Sequence, residues 1–250
     1  MTKKWIKNCA LVLLMHISLG ARDIILWDLH GVVLERSTSS TLKALASANL
    51  AKGIANLTWA QLRGLIVLGL DNLIHEKSGE EYIHIAIKAD NLALANAIIS
   101  IANSWKIMPG IESVIEELNQ LGLEQDIGSN IGRTLFDRLI KEPEFAPIFC
   151  YMNLNRSQVV EFTPPHLVKK PNSLFFKEYL DKNRLNPAKT HIIFIDDQKV
   201  NVTAARQMGL IGIYFKNVNQ LRQDLRELGI EVSPPIQKQI HFEGYKHLFE

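Results

Sequence analysis

"IILWDLHGVVLE", residues 24–35, decides how the rest of this 250-residue chain is read. A short apolar run rich in β-branched residues, from Asp23 through Trp27, suits a strand buried on both faces. It delivers Asp28 at its carboxyl end, and Gly31 lets the chain turn directly afterwards. An acid at the end of a buried strand sits where open α/β sheets place their ligands.

Working outward, the chain repeats this pattern. "LEQDIGSN" ends a second expected strand, "PIFCYMNL" is a third, "THIIFIDD" a fourth that again ends in acids, and "GIYF" a fifth. Helical spacing falls between them, in "IESVIEELNQLG", "RTLFDRLI", "NSLFFKEYLDKN" and "VNVTAARQMG". Strand, helix, strand in this order predicts an α/β fold, a doubly wound parallel sheet with right-handed crossovers. Asp28, Ser129, Asp196 and Asp197 would all fall beyond the carboxyl ends of its strands.

Residues 36–104 break the alternation. "STLKALASANLAKGIANL", "TWAQLRGLIVLGLDNLI" and "GEEYIHIAIKADNLALANAIISIANSW" have helical spacing and no convincing strand. Ser37, Ser39, Ser40 and Thr58 offer N-cap oxygens. An all-helical block between the first two strands reads as an inserted lobe, or cap domain, over the site. "MPG" at residues 108–110 marks the return to the core, with Pro109 placed near a helix start. The expected organisation is therefore a core of residues 22–35 and 105–250 with a helical cap at 36–104.

Composition adds bounds. Apolar residues at 47%, charged residues at 22% and a net charge of +2 describe an ordinary globular chain with no bias toward nucleic acid or membrane surfaces. The first 21 residues differ: Lys3, Lys4 and Lys7 precede an uncharged run from Cys9 to Ala21 that ends in small residues. These are the marks of a secretory signal peptide, too short for a comfortable membrane span. The competing reading is a first helix or strand packed on the domain. Cleavage would give a periplasmic or secreted protein with no stable membrane insertion; without it the protein is cytoplasmic. Only Cys150 would remain after cleavage, so cysteine usage does not decide the compartment.

Four separated motifs give the chain a resemblance to the haloacid dehalogenase superfamily, spanning Ile24 to Phe215. "DLHGV" resembles the nucleophile motif with Asp28 in the nucleophile's place, and "GSN" the second motif, with Ser129 followed by Asn130. "KKP" resembles the third, its lysine being Lys170 in preference to Lys169. "FIDDQKVNVTAARQMGLIGI" resembles the fourth, with the acidic pair Asp196 and Asp197, then Asn201 and Gly209. The position of the helical insert corresponds to the family's C1-type cap. The resemblance implies a Rossmann-like core and Mg²⁺ held by Asp28, the main-chain carbonyl of His30, Asp196 and Asp197. It also implies phosphate held by Ser129, Asn130 and Lys170, and a covalent aspartyl-phosphate on Asp28. A small phosphorylated metabolite is the expected substrate. Elementary chemistry agrees, because a carboxylate attacking phosphorus approaches an anion and needs positive charge and fixed donors around it.

Each residue also has a plainer use. Asp28 could cap its turn, Ser129 a helix, and Lys170 could be a solvated charge. Asn201 is read as structural, holding the acidic loop. His75, His84 and His166 lack metal-ligand spacing. The departure from the family is His30, which stands where its phosphatases carry a second Asp. Histidine can protonate a leaving group and activate water near neutrality, since its ordinary pKa is about 6.5. Two other readings remain open at the level of sequence: a different group transfer of the same family, and a non-catalytic phosphate-binding protein.

Overall fold

The computed structural model describes residues 23–36, 105–161 and 168–235, together with Ala55 and Thr58. The expected signal segment, nearly all of the expected cap, and His75, His84 and His166 lie outside the described residues. Among the described residues no helix is long and apolar enough to cross a membrane.

The central sheet is built from β1 (Asp23–Trp27), β4 (Glu124–Gly132), β5 (Gln158–Val160), β6 (His191–Asp196) and β7 (Ile211–Tyr214). Their order is β5-β4-β1-β6-β7, and every pairing is parallel. Parallel strands buried on both faces need apolar side chains in succession rather than alternation, which "IILW" and "IIFI" supply. Ile25, Trp27, Ile127, Ile193 and Ile195 pack on one face with α1 (Ile111–Gln120), α2 (Arg133–Leu139), α3 (Ala146–Phe149) and α6 (Val218–Glu227). Ile24, Leu26, Ile192 and Phe194 pack on the other with α4 (Ser173–Asn183) and α5 (Lys199–Gln207). The sheet is doubly wound, as expected.

One expected strand is misplaced. "PIFCYMNL" folds as the short helix α3 followed by turns, and the edge strand β5 lies downstream at Gln158–Val160. Pro147 sits in the first turn of α3, where its missing N–H costs nothing, and one helical turn suffices to bury Ile148 and Phe149. A short apolar run has no period long enough to separate that turn from a strand.

Two further strands, β2 (Leu34–Arg36) and β3 (Trp105–Ile107), form an antiparallel ribbon that the sequence reading passed over. Leu34 pairs with Ile107 and Arg36 with Trp105, so β2 runs one residue into the stretch assigned to the insert. The ribbon is where the chain leaves the core for residues 37–104 and returns from them. It is tied to the core by Met108, whose N–H donates to the Val33 carbonyl at 2.9 Å. After β3, Gly110 takes a left-handed conformation at φ 83° and α1 begins at Ile111, two residues beyond Pro109.

Candidate active site

Strand register puts the acids together. Trp27 is level with Ile195 on one side and Ile127 on the other, so Asp28, Asp196 and Gly128 sit side by side, the first two at the carboxyl ends of β1 and β6 and Gly128 midway along the longer β4. Ser129 and Asp197 follow one residue beyond. The Asp28 N–H donates to the Ile195 carbonyl at 2.9 Å, extending the β1–β6 ladder to the first site residue.

Immediately afterwards the chain reverses. The Leu29 carbonyl accepts from Val32, Val33 and Leu34 in turn, and the Gly31 N–H donates to the Leu34 carbonyl at 2.8 Å. Gly31 holds φ 84°, and a Cβ there would stand 2.2 Å from an Asp197 carboxylate oxygen. Glycine is therefore required twice at this position, by the backbone and by the space the acid occupies.

Lys170 is the cation of the site. Its ammonium lies 2.9 Å from Asp28 Oδ1 and donates at 2.7 Å to Asp196 Oδ2. The side chain is 1% exposed and its nitrogen stands 5.1 Å from the centre of the Phe194 ring. Burial pulls this ammonium down, but the facing carboxylates of Asp28 and Asp196 outweigh it and hold it above its ordinary value. Asn130 fixes the lysine from behind. Its side-chain carbonyl accepts from the Lys170 N–H at 2.8 Å and its amide donates to the Lys170 carbonyl at 3.0 Å. The Asn130 side chain thus holds the Lys170 main chain at both its N–H and its carbonyl. Ser129 is fully buried, and its hydroxyl accepts from the Ile131 N–H at 3.4 Å.

Asp196 is the most heavily bonded of the three acids. Besides Lys170 it accepts from the Gln198 N–H at 2.7 Å and from the Asn201 amide at 3.1 and 3.0 Å. Asn201 is thus a brace for the acidic loop, as expected. Burial raises the Asp196 carboxyl, opposed by Lys170 and reinforced by Asp28. Asp197 differs. Its Oδ1 is buried without a hydrogen-bond partner, and Lys170 bridges the other two acids instead. Burial first, then the charges of Asp28 and Asp196, push its carboxyl up to about 6.

One ligand atom from each of Asp28, Asp196 and Asp197 lies within 4.8 Å of the others. Three carboxylates against one ammonium leave two negative charges uncompensated when all are ionised. All the donors are hard oxygens, and one is an unsatisfied buried oxygen. That set fits a small divalent cation such as Mg²⁺.

His30 stands at the rim. Its imidazole stacks on Trp105, with ring centres 4.1 Å apart and planes inclined by 22°. Trp105 is the site residue the sequence reading missed. Seventy-odd positions separate it from His30, and only the ribbon pairing brings them together. Among the residues singled out from sequence, Asp28, Lys170, Asp196 and Asp197 form one cluster, Asn130 supports it, Ser129 lies within the neighbouring strand β4 and His30 lies on the turn after β1.

Comparison with known proteins gives the family and the fold. A family model described as haloacid dehalogenase-like hydrolase matches residues 22–209. Flavin mononucleotide hydrolase 1 of Arabidopsis thaliana is 39% identical over 67 residues, which are 27% of this chain and 26% of that protein. Among solved structures, a predicted HAD-like family hydrolase from Porphyromonas gingivalis has a TM-score of 0.52 at 18% identity, covering 85% of this chain and 99% of its own. A HAD family enzyme from Bacteroides thetaiotaomicron, in a magnesium complex, gives 0.51 at 14%, covering 83% and 99%. These structural likenesses speak for the fold. With the family model spanning well over half of the sequence, this chain belongs to the haloacid dehalogenase-like hydrolase family.

Proposed function

We propose that the protein is a Mg²⁺-dependent phosphatase acting on a small phosphorylated metabolite through a covalent intermediate on Asp28. The observation that carries this reading is the three-carboxylate cluster with Lys170 lodged between Asp28 and Asp196. When bound, Mg²⁺ supplies charge neutralisation and orientation of the phosphoryl group at Asp28, Asp196, Asp197 and the His30 carbonyl.

The chain's own groups do the rest. The Leu29 N–H at 2.8 Å and Lys170 hold Asp28 Oδ1, which leaves Oδ2 to attack phosphorus. The Asp28 side chain keeps 8% exposure. As the Oδ2–P bond forms, the bond from phosphorus to the leaving oxygen breaks, and His30 gives that oxygen its proton. Water then attacks the phosphorus of the intermediate, the P–Oδ2 bond breaks, and His30 takes up the proton released. Lys170 and Ser129 hold the phosphoryl oxygens throughout. The 36–104 insert is read as the cap that selects the substrate.

The test compares an aryl phosphate, an alkyl phosphate and flavin mononucleotide (the substrate in the Arabidopsis relative's name), each with and without Mg²⁺. Activity should require Mg²⁺ and vanish in Asp28→Asn. His30→Ala should slow the alkyl ester at least ~10²-fold more than the aryl ester, whose leaving group needs little help from an acid. No Mg²⁺-dependent turnover of any phosphate ester would leave the phosphate-binding reading in its place.

A further inference from the structure

We propose that Trp105 is the positioning residue for His30, so that proton transfer at the site depends on the ribbon that carries the chain back from the insert. This rests on the reading of His30 as the acid and base. Residue 30 lies in the tight reversal after β1, where Leu29 O and Gly31 N are both bonded to Leu34. The backbone is therefore fixed, and the orientation of the imidazole is set by rotation about its side-chain bonds.

The stack with Trp105 restricts that rotation. Two flat rings 4.1 Å apart and inclined by only 22° leave little room for the smaller ring to swing out of its plane. Trp105 is itself anchored. It pairs with Arg36 across the ribbon, shares a ribbon face with Ile107, and packs against the larger of the two hydrophobic clusters. On the opposite ribbon face Lys106 and Glu35 form an ion pair at 2.8 Å, which helps to hold the two strands in register.

Trp105 also occupies a telling place in the chain. It is the first residue of β3, the strand by which the chain re-enters the core after residues 37–104. A general acid on the family's ordinary pattern would be a short Asp with no ring to align. A histidine in its place has a plane that must be set, and the neighbouring indole sets it.

The experiment uses Trp105→Leu and Trp105→Phe in the full-length chain, with alkyl and aryl phosphates assayed in parallel. Trp105→Leu should lower the ratio of alkyl to aryl turnover by about 10- to 10²-fold, the size of effect a misplaced catalytic group produces. Trp105→Phe should recover most of that ratio, because a flat ring is restored. On a His30→Ala background, Trp105→Leu should change the ratio no further. Independently of activity, the His30 ring protons should resonate upfield in the wild type and return toward ordinary positions in Trp105→Leu.

Equal loss on both substrates in Trp105→Leu would overturn the inference, as the tryptophan would then be acting on the fold alone. So would unshifted His30 ring protons in the wild type. If His30→Ala itself leaves the ratio unchanged, the assignment of His30 as the acid fails first and this inference with it, which separates the two failures.

Discussion

Replacing Asp197 with Asn tests the electrostatic account of the site without relying on catalysis. The amide keeps the carboxylate's shape, which matters because Gly31 packs so closely against it. In the metal-free wild type the Asp197 carboxyl is pushed from an ordinary 3.8 up to about 6 by burial and by Asp28 and Asp196. The folded state therefore binds its proton more tightly than the unfolded chain does. The wild type accordingly loses stability as pH rises from about 4 to about 6. The gap corresponds to a ceiling of about 3 kcal/mol, and solvent screening of a partly accessible group brings the expected figure to ~1–2 kcal/mol. An asparagine carries no such slope. Urea denaturation of both proteins in EDTA should thus show near-equal stability at pH 4 and an advantage of that size for Asp197→Asn at pH 7.5. Comparing the two proteins at each pH cancels titrations they share. With Mg²⁺ the order should invert, because a cation at 100 times its Kd stabilises by about 2.7 kcal/mol and the variant has lost one ligand. A difference in EDTA that is the same at both pH values would refute the claim that this carboxylate is strained by its neighbours.

Three further outcomes follow from named contacts. Lys170→Met keeps much of the volume but leaves Asp28 and Asp196 buried without their cation, so metal-free stability at pH 7.5 should drop by ~3–5 kcal/mol, read by urea denaturation, and Mg²⁺ should restore part of it. Gly31→Ala forces a side chain into a left-handed backbone and onto Asp197; calorimetry should show Mg²⁺ affinity reduced at least ~10-fold, with a stability loss of ~1–2 kcal/mol or more. Asp126, fully buried, accepts from the Tyr179 hydroxyl at 2.6 Å and the Arg156 fork at 2.7 and 2.8 Å; Asp126→Ala should cost ~1–3 kcal/mol by leaving the Tyr179 hydroxyl without its acceptor and Arg156 with Glu124 alone, while kcat/KM below the melting transition stays close to wild type.

How much of this was legible in the sequence differs from element to element. β1 and β6 announce themselves because a strand buried on both faces needs an unbroken apolar run, and "IILW" and "IIFI" each end in an acid. From those two strands and the helical patterns between them, the parallel sheet and the meeting of Asp28 with Asp196 and Asp197 follow by topology alone. Asn201 as a brace was legible too, since an amide one helical turn past an acid has little else within reach.

Short edge elements were not legible. β5 has three residues and β2–β3 three each, too few for any period to register, and the apolar "PIFCYMNL" outcompeted β5 as a candidate strand. Contacts between residues far apart in the chain were equally hidden. Sequence supplies a lysine before a proline, but only the folded chain shows it buried between two carboxylates and clamped by Asn130 forty residues away. His30 was visible as an oddity of its motif, whereas its partner Trp105 became visible only when an antiparallel ribbon joined the two ends of the insert. Residue type and local spacing fix the long buried strands β1 and β6 and the acids that follow them. Burial, charge and orientation at the site are pairwise quantities, set by groups that the chain brings together only when it folds.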